Sequence, residues 1–267
     1  MTTALKLLLA GMLLTAGAFG VVWAAVAMMP DTVDDGGVAQ PPLAAVDSSG
    51  HGNDGINEGG PVVGLPGHQG TAYSFDAAGS WVQVRSDASL NPGTHDFLLS
   101  AWVNFTANPA SGNSADILRK GLSFARTGDF KLEILDSGRV RCTAHDAGHK
   151  EAVVLAPAQR TVTDGRWHLV GCARTHGGWS VVVDDSLTTD RTRLRSISND
   201  IPLSIGSKYG LEELPPGRMD DVRMVIAAER SGGSVADQVA HLQAAPPTGW
   251  WRLDETQPTE ARSGHEQ

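Results

Sequence analysis

From residue 71 onward, apolar and polar positions alternate in short runs, and Gly, Asn, Asp or Pro residues bound each run. A two-residue period is the signature of strands with one covered face. The runs predict strands at 71–75, 81–85, 96–105, 116–120, 130–135, 139–144, 167–175, 179–184, 202–207 and 218–227. Only 235–242 carries a helical period. The clearest strand opening is Asp164-Gly165-Arg166-Trp167-His168-Leu169-Val170, where an Asp-Gly turn launches residues that alternate around a large aromatic. About ten short strands at this spacing predict an all-β fold, two antiparallel sheets packed as a jelly-roll sandwich.

The first thirty residues break the pattern. Leu7 to Met29 carries no charge, and a helix of that length covers about 34 Å, enough to span a bilayer. Lys6 before it, with Asp31, Asp34 and Asp35 after it, favours an inside N-terminus and an extracytoplasmic remainder. Ala25-Val26-Ala27 fits a signal-peptidase site, so residues 1–30 are expected to be either a retained membrane anchor or a removed signal peptide. Residues 31–43 read as a linker rich in Asp, Gly and Pro, 44–255 as the sandwich, and 256–267 as a C-terminal tail.

Charge narrows the partners. With 30 acidic and 21 basic side chains the formal net charge is -9, which opposes a nucleic-acid partner. The two cysteines, Cys142 and Cys172, each fall inside a predicted strand, and a pair in an exported chain suggests a disulfide, with two free buried thiols as the alternative.

Five stretches, in order, carry a family resemblance. They are Asp47 to Gly55, Leu99-Ser100-Ala101-Trp102-Val103, Asp164 to Val170, Pro202-Leu203-Ser204-Ile205-Gly206, and Gly217-Arg218-Met219-Asp220-Asp221-Val222-Arg223. Together they resemble the laminin G-like (LamG) jelly rolls of the concanavalin A-like lectin/glucanase superfamily. The resemblance implies a possible Ca2+ site, because such domains often hold calcium on loop carboxylates and carbonyls. Its candidate ligands are Asp47, Asn53, Asp54, Asp220 and Asp221. The competing reading gives Asp47-Ser48-Ser49-Gly50 to Asx-type turns and one of the paired aspartates to a sheet end.

The chain also departs from the family. Such domains usually open on a Trp-x-Leu-Asp-Glu-like strand, but Ala44-Ala45-Val46 precedes Asp47 here, and Trp251-Arg252-Leu253-Asp254-Glu255 stands at the other end. That strand either begins a second repeat or fills the first-strand place of the same sandwich. The second is favoured, because an orphan Trp250-Trp251 strand would leave an apolar patch exposed.

Catalytic patterns are missing. The Glu-x-Asp-x-x-Glu strand of related glucanases is absent, and Glu133-Ile134-Leu135-Asp136 points its acids to opposite faces, as at a hairpin end with solvated carboxylates. No Gly-x-Ser-x-Gly elbow occurs. His145 and His149 are expected in an exposed loop, and His168 at the sheet surface. Trp102, Trp167, Tyr73 and Phe75 are expected in the core, whereas Trp81, Trp179 and Tyr209 lie near turns. Trp179 and Tyr209 are therefore the candidate ligand-binding aromatics. The expected function is an exported, non-catalytic module binding carbohydrate or an extracellular protein, joined to a membrane through its N-terminal segment. An adhesion module without a small ligand and a divergent glycoside hydrolase are the alternatives.

Overall fold

The structure, a computed structural model, describes residues 44–123 and 126–256. The expected N-terminal helix and linker, and all but the first residue of the expected tail, lie outside the described residues.

The chain begins with β1 (Ala44–Ala45), β2 (Gly55–Glu58), β3 (Val62–Pro66), β4 (Thr71–Ser74), β5 (Trp81–Val84) and β6 (Phe97–Phe105). Next come β7 (Ser114–Lys120), β8 (Asp129–Leu135), β9 (Val140–His145), β10 (Glu151–Leu155), β11 (His168–Thr175) and β12 (Gly178–Val183). The last elements are β13 (Ser186–Asp190), β14 (Leu203–Ile205), β15 (Gly217–Ile226), α1 (Val235–Ala244) and β16 (Gly249–Trp251).

These strands form two antiparallel sheets. The first runs β1-β2-β5-β14-β7-β8-β9-β10, and the second runs β13-β12-β11-β6-β15-β4-β3, with β16 beside β15. Alternation decides which side chains meet between them. Along β6, Phe97, Leu99, Ala101, Val103 and Phe105 point inward, and they join Leu132 and Ile134 of β8 and Val181 and Val183 of β12 in one core. Cys142 of β9 and Cys172 of β11 form a disulfide inside that core, tying one sheet to the other.

The outer face of the second sheet has its own small core under α1. Leu98, Ala173, Val182 and Val225 meet Val239 and Leu242 there. Ser234 starts the helix with a capping box, its hydroxyl accepting from the Asp237 amide while the Asp237 carboxylate accepts from the Ser234 amide.

Strand β16 joins this sandwich rather than standing apart. Its residues pair with Val222, Arg223 and Met224 of β15, and Trp251 also bridges to Asp47. Trp251 is fully buried and donates its indole N–H to the Asn53 carbonyl at 2.8 Å.

Candidate functional site

The expected calcium ligands gather around β16, but their oxygens are turned to other work. Asp47 Oδ1 accepts from the amides of Ser49 and Trp250, and its Oδ2 accepts from the Ser49 hydroxyl and the Asn53 amide. Burial opposes the Asp47 charge, yet the Ser49 hydroxyl and these amides outweigh it and hold the carboxyl below its usual value. Asp54 caps the Asp47 amide, and Asn53 donates to the Thr248 carbonyl. Asp220 accepts from the Gln69 amide, while Asp221 takes the Trp250 indole N–H and an Arg223 guanidinium. A calcium site needs six or more oxygens aimed at one point. As placed, these carboxylates accept instead from N–H and O–H donors of the protein itself. Among the described residues no group of three or more His, Cys, Asp or Glu side chains is placed to hold a metal ion.

Neither expected ligand-binding aromatic is free to serve. Trp179 is fully buried against Phe97, because its register opposite Arg174 turns it inward despite the preceding glycines. Tyr209 is a half-buried pin: its hydroxyl accepts from the Gly121 amide and donates to the Pro202 carbonyl, and its ring meets Trp81 edge-on. Tryptophans assigned to the core stand instead on the outer face of the second sheet. Trp102 is half-buried and stacks on His68 at a ring distance of 3.7 Å. Trp167 is half-buried too, 6.0 Å from His68 and beneath the Arg218 guanidinium.

Trp167 also borders a cleft of about 380 Å³ at the end of the sandwich, lined with Arg160, Asp164, Arg166, His168 and Asp184. Local geometry builds it from two turns. Gly165, at φ 78°, lets the chain fold back so that its amide donates to the Phe105 carbonyl and its carbonyl accepts from the Asn104 side chain, which fixes where Trp167 emerges. Asp184 and Asp185 form the two-residue hairpin between β12 and β13. Asp184 sits there at φ 52°, a left-handed conformation that Asp tolerates.

His168 lies between the two turns. Its Nδ1 is 2.8 Å from Asp184 Oδ2 and its Nε2 2.9 Å from Asp164 Oδ1, so only the doubly protonated ring donates to both. Burial would lower this imidazole, but the bonds to Asp184 and Asp164 prevail and raise it. Asp164 also accepts from Arg166, and hydrogen bonds from Arg166 and then His168 hold it well below the usual carboxylate range. The Asp184 carboxylate takes the Leu169 amide as well. The result is a row of alternating charge, Arg166, Asp164, His168 and Asp184, in the cleft that Trp167 borders.

A second cleft, of about 340 Å³, lies on the outer side of the first sheet near Lys131, Arg141, Thr143 and His145. Beneath it Glu133 is fully buried, not solvated as expected, because Lys131, Arg141 and Thr143 close over it and hydrogen-bond both its oxygens. Burial opposes its charge, yet Arg141 and Lys131 prevail and hold it at about 2. His145 is no loop residue: it ends β9, with Nδ1 at 2.8 Å from the buried Asp129 carboxylate.

Comparison with known proteins places the fold. A laminin G-type family model, described as the concanavalin A-like lectin/glucanases superfamily, matches residues 76–228. No protein of curated function matches the sequence. Among solved structures, the chain is similar to the receptor-binding domain of botulinum neurotoxin C/D mosaic serotype. The TM-score is 0.55 at 14% identity, over 74% of this chain and 48% of that one. It is similar also to the binding domain of Paraclostridial mosquitocidal protein 1, with TM-score 0.52 at 13% identity over 74% and 50% of the two chains. A third is botulinum neurotoxin type C, whose cell entry depends on interaction with two ganglioside molecules. There the TM-score is 0.50 at 11% identity, over 74% and 48%. The chain thus spans about half the length of these solved structures.

Proposed function

Because the chain belongs to the concanavalin A-like lectin/glucanase superfamily, we propose that it is a non-catalytic, extracytoplasmic binding module whose loop-end cleft holds a carbohydrate. The observation that carries this reading is that Trp167, which is partly exposed, lines one cleft together with Asp164, Asp184 and Arg166. Sugars present apolar C–H faces that pack on aromatic rings and hydroxyls that bond to planar polar side chains, and this cleft offers both. The ganglioside interaction of botulinum neurotoxin type C and the lectin-like fold support carbohydrate as the ligand class. The apolar segment 7–29 and the Cys142–Cys172 disulfide support an oxidising, extracytoplasmic setting.

The hydrolase alternative has one observation in its favour. Asp164 and Asp184 come from different turns and face each other across a single imidazole ring. A glycoside hydrolase, however, needs one carboxyl raised so that it can deliver a proton. Asp164 is held low, and the carboxylate facing it is bound to His168 and the Leu169 amide. The pair is therefore suited to accepting hydroxyl hydrogen bonds rather than to donating a proton.

Glycan-array binding and titration calorimetry of the full-length chain test the proposal. Trp167→Ala is expected to weaken the best ligand by about tenfold or more in a variant that still unfolds cooperatively. Undiminished binding by that variant would remove the cleft from the reading.

A further inference from the structure

Resting on the carbohydrate reading of this cleft, we propose that its ligand is a neutral glycan and that the cleft discriminates against sialylated, uronate-bearing or sulfated ones. The argument is one of charge and commitment. Binding an anionic sugar calls for a cation with donors to spare, most often an arginine fork. The cleft lining contains Arg160 and Arg166 and no lysine. Arg166, although its side chain is 79% exposed, is paired with Asp164 through its backbone amide, its Nε and its Nη2. Arg160 lies 3.0 Å from Asp185, the second residue of the hairpin turn. His168, the remaining cationic group, spends both ring nitrogens on Asp164 and Asp184. Three carboxylates thus balance the three cationic groups at the lining, so an arriving anion meets no net positive charge there; Arg218, over the Trp167 ring and outside the lining, bonds to the Pro66 carbonyl.

The carboxylates retain acceptor capacity. Asp184 and Asp164 keep about a third of their side-chain surface exposed, at 34% and 32%. An ionised carboxylate offers about four lone-pair sites, so each can still take sugar hydroxyls. Long-range charge acts in the same direction, since the chain's formal net charge of -9 repels polyanions before contact. The ganglioside interaction of botulinum neurotoxin type C therefore does not transfer to this cleft as a preference for acidic sugars.

Asp185 provides the sharpest test, because it is 80% exposed and its loss leaves the buried parts of the cleft untouched. Matched neutral, sialylated, uronate and sulfated oligosaccharides are titrated into the full-length chain at low and high NaCl. Neutral ligands should bind about fivefold or more tightly than their acidic partners, and their affinity should stay within about twofold across the salt range. Asp185→Asn releases Arg160 and should raise acidic-glycan affinity about threefold or more while leaving neutral binding unchanged. Tighter, salt-sensitive binding of acidic glycans by the unmodified chain would overturn this inference and leave the carbohydrate-binding reading standing. Failure to bind any glycan would overturn both.

Discussion

His168 is held by two carboxylates at once, which makes its protonation part of how the two turns stay together. Its folded-state pKa is raised, so its contribution to stability is complete below the unfolded value near 6.5 and fades as pH rises through the folded one. The melting temperature of the full-length chain should accordingly fall as pH rises past about 6.5, and His168→Gln should flatten that part of the profile. An identical slope in the variant would separate the imidazole from this effect. Side-chain direction is also where the sequence is hardest to read. Alternation says which residues share a face of a strand, not which face meets the core. Trp102 and Leu98 lie on the same outer side of β6, yet α1 buries Leu98 and leaves Trp102 half-exposed. The neighbour of a strand, unknown to the strand itself, decides the matter. Glu133 departs from expectation for a related reason, since its cover comes from Lys131 on its own strand and from Arg141 and Thr143 on the next.

At the scale of elements, β6 and β11 are legible because apolar residues recur at alternate positions, and β12 and β15 because turn residues bound them. Strands β1, β2, β3 and β13 are not. They are short, or broken by Gly64 and Pro66, or half-buried at every residue as in Ser186–Asp190. Strand β10 escapes because the apolar run Ala152-Val153-Val154-Leu155 hides its period, Val153 being turned outward and exposed. The helical period at 235–242 continues in the structure to Ala244, where the backbone turns extended at Ala245. The worth of this helix to the fold can be measured. Leu242 is almost fully buried between α1 and the outer face of the second sheet, so Leu242→Ala should cost about 2–5 kcal/mol in chemical denaturation. A cost below about 1 kcal/mol would mean that α1 is only loosely seated.

For the whole molecule, the disulfide expected from two cysteines in an exported chain joins the two sheets across the core rather than two strands of one sheet. Closing a loop over a sequence separation of 30 residues restricts the unfolded chain, and the chain-entropy estimate is roughly 4 kcal/mol. A Cys142→Ala/Cys172→Ala double variant should therefore lose about that much in urea unfolding. An unchanged midpoint would show that the packed core alone holds the sheets together. The overall sandwich is readable from strand count and motif order, whereas the calcium expectation comes from resemblance alone. It meets a chain that gives the same carboxylates to backbone amides and to the side chains of Ser49, Arg223 and Trp250. The pairing of β16 with β15 governs the order in which the molecule can be completed. Asp47, near the start of the sandwich, waits for Trp250 and Trp251, some two hundred residues later, to close its hydrogen bonds and cover Asn53. A growing chain therefore carries an open seam along β15 until residue 251 has been delivered. The emergence of residue 251, rather than any earlier contact, sets the moment at which the sandwich can shut.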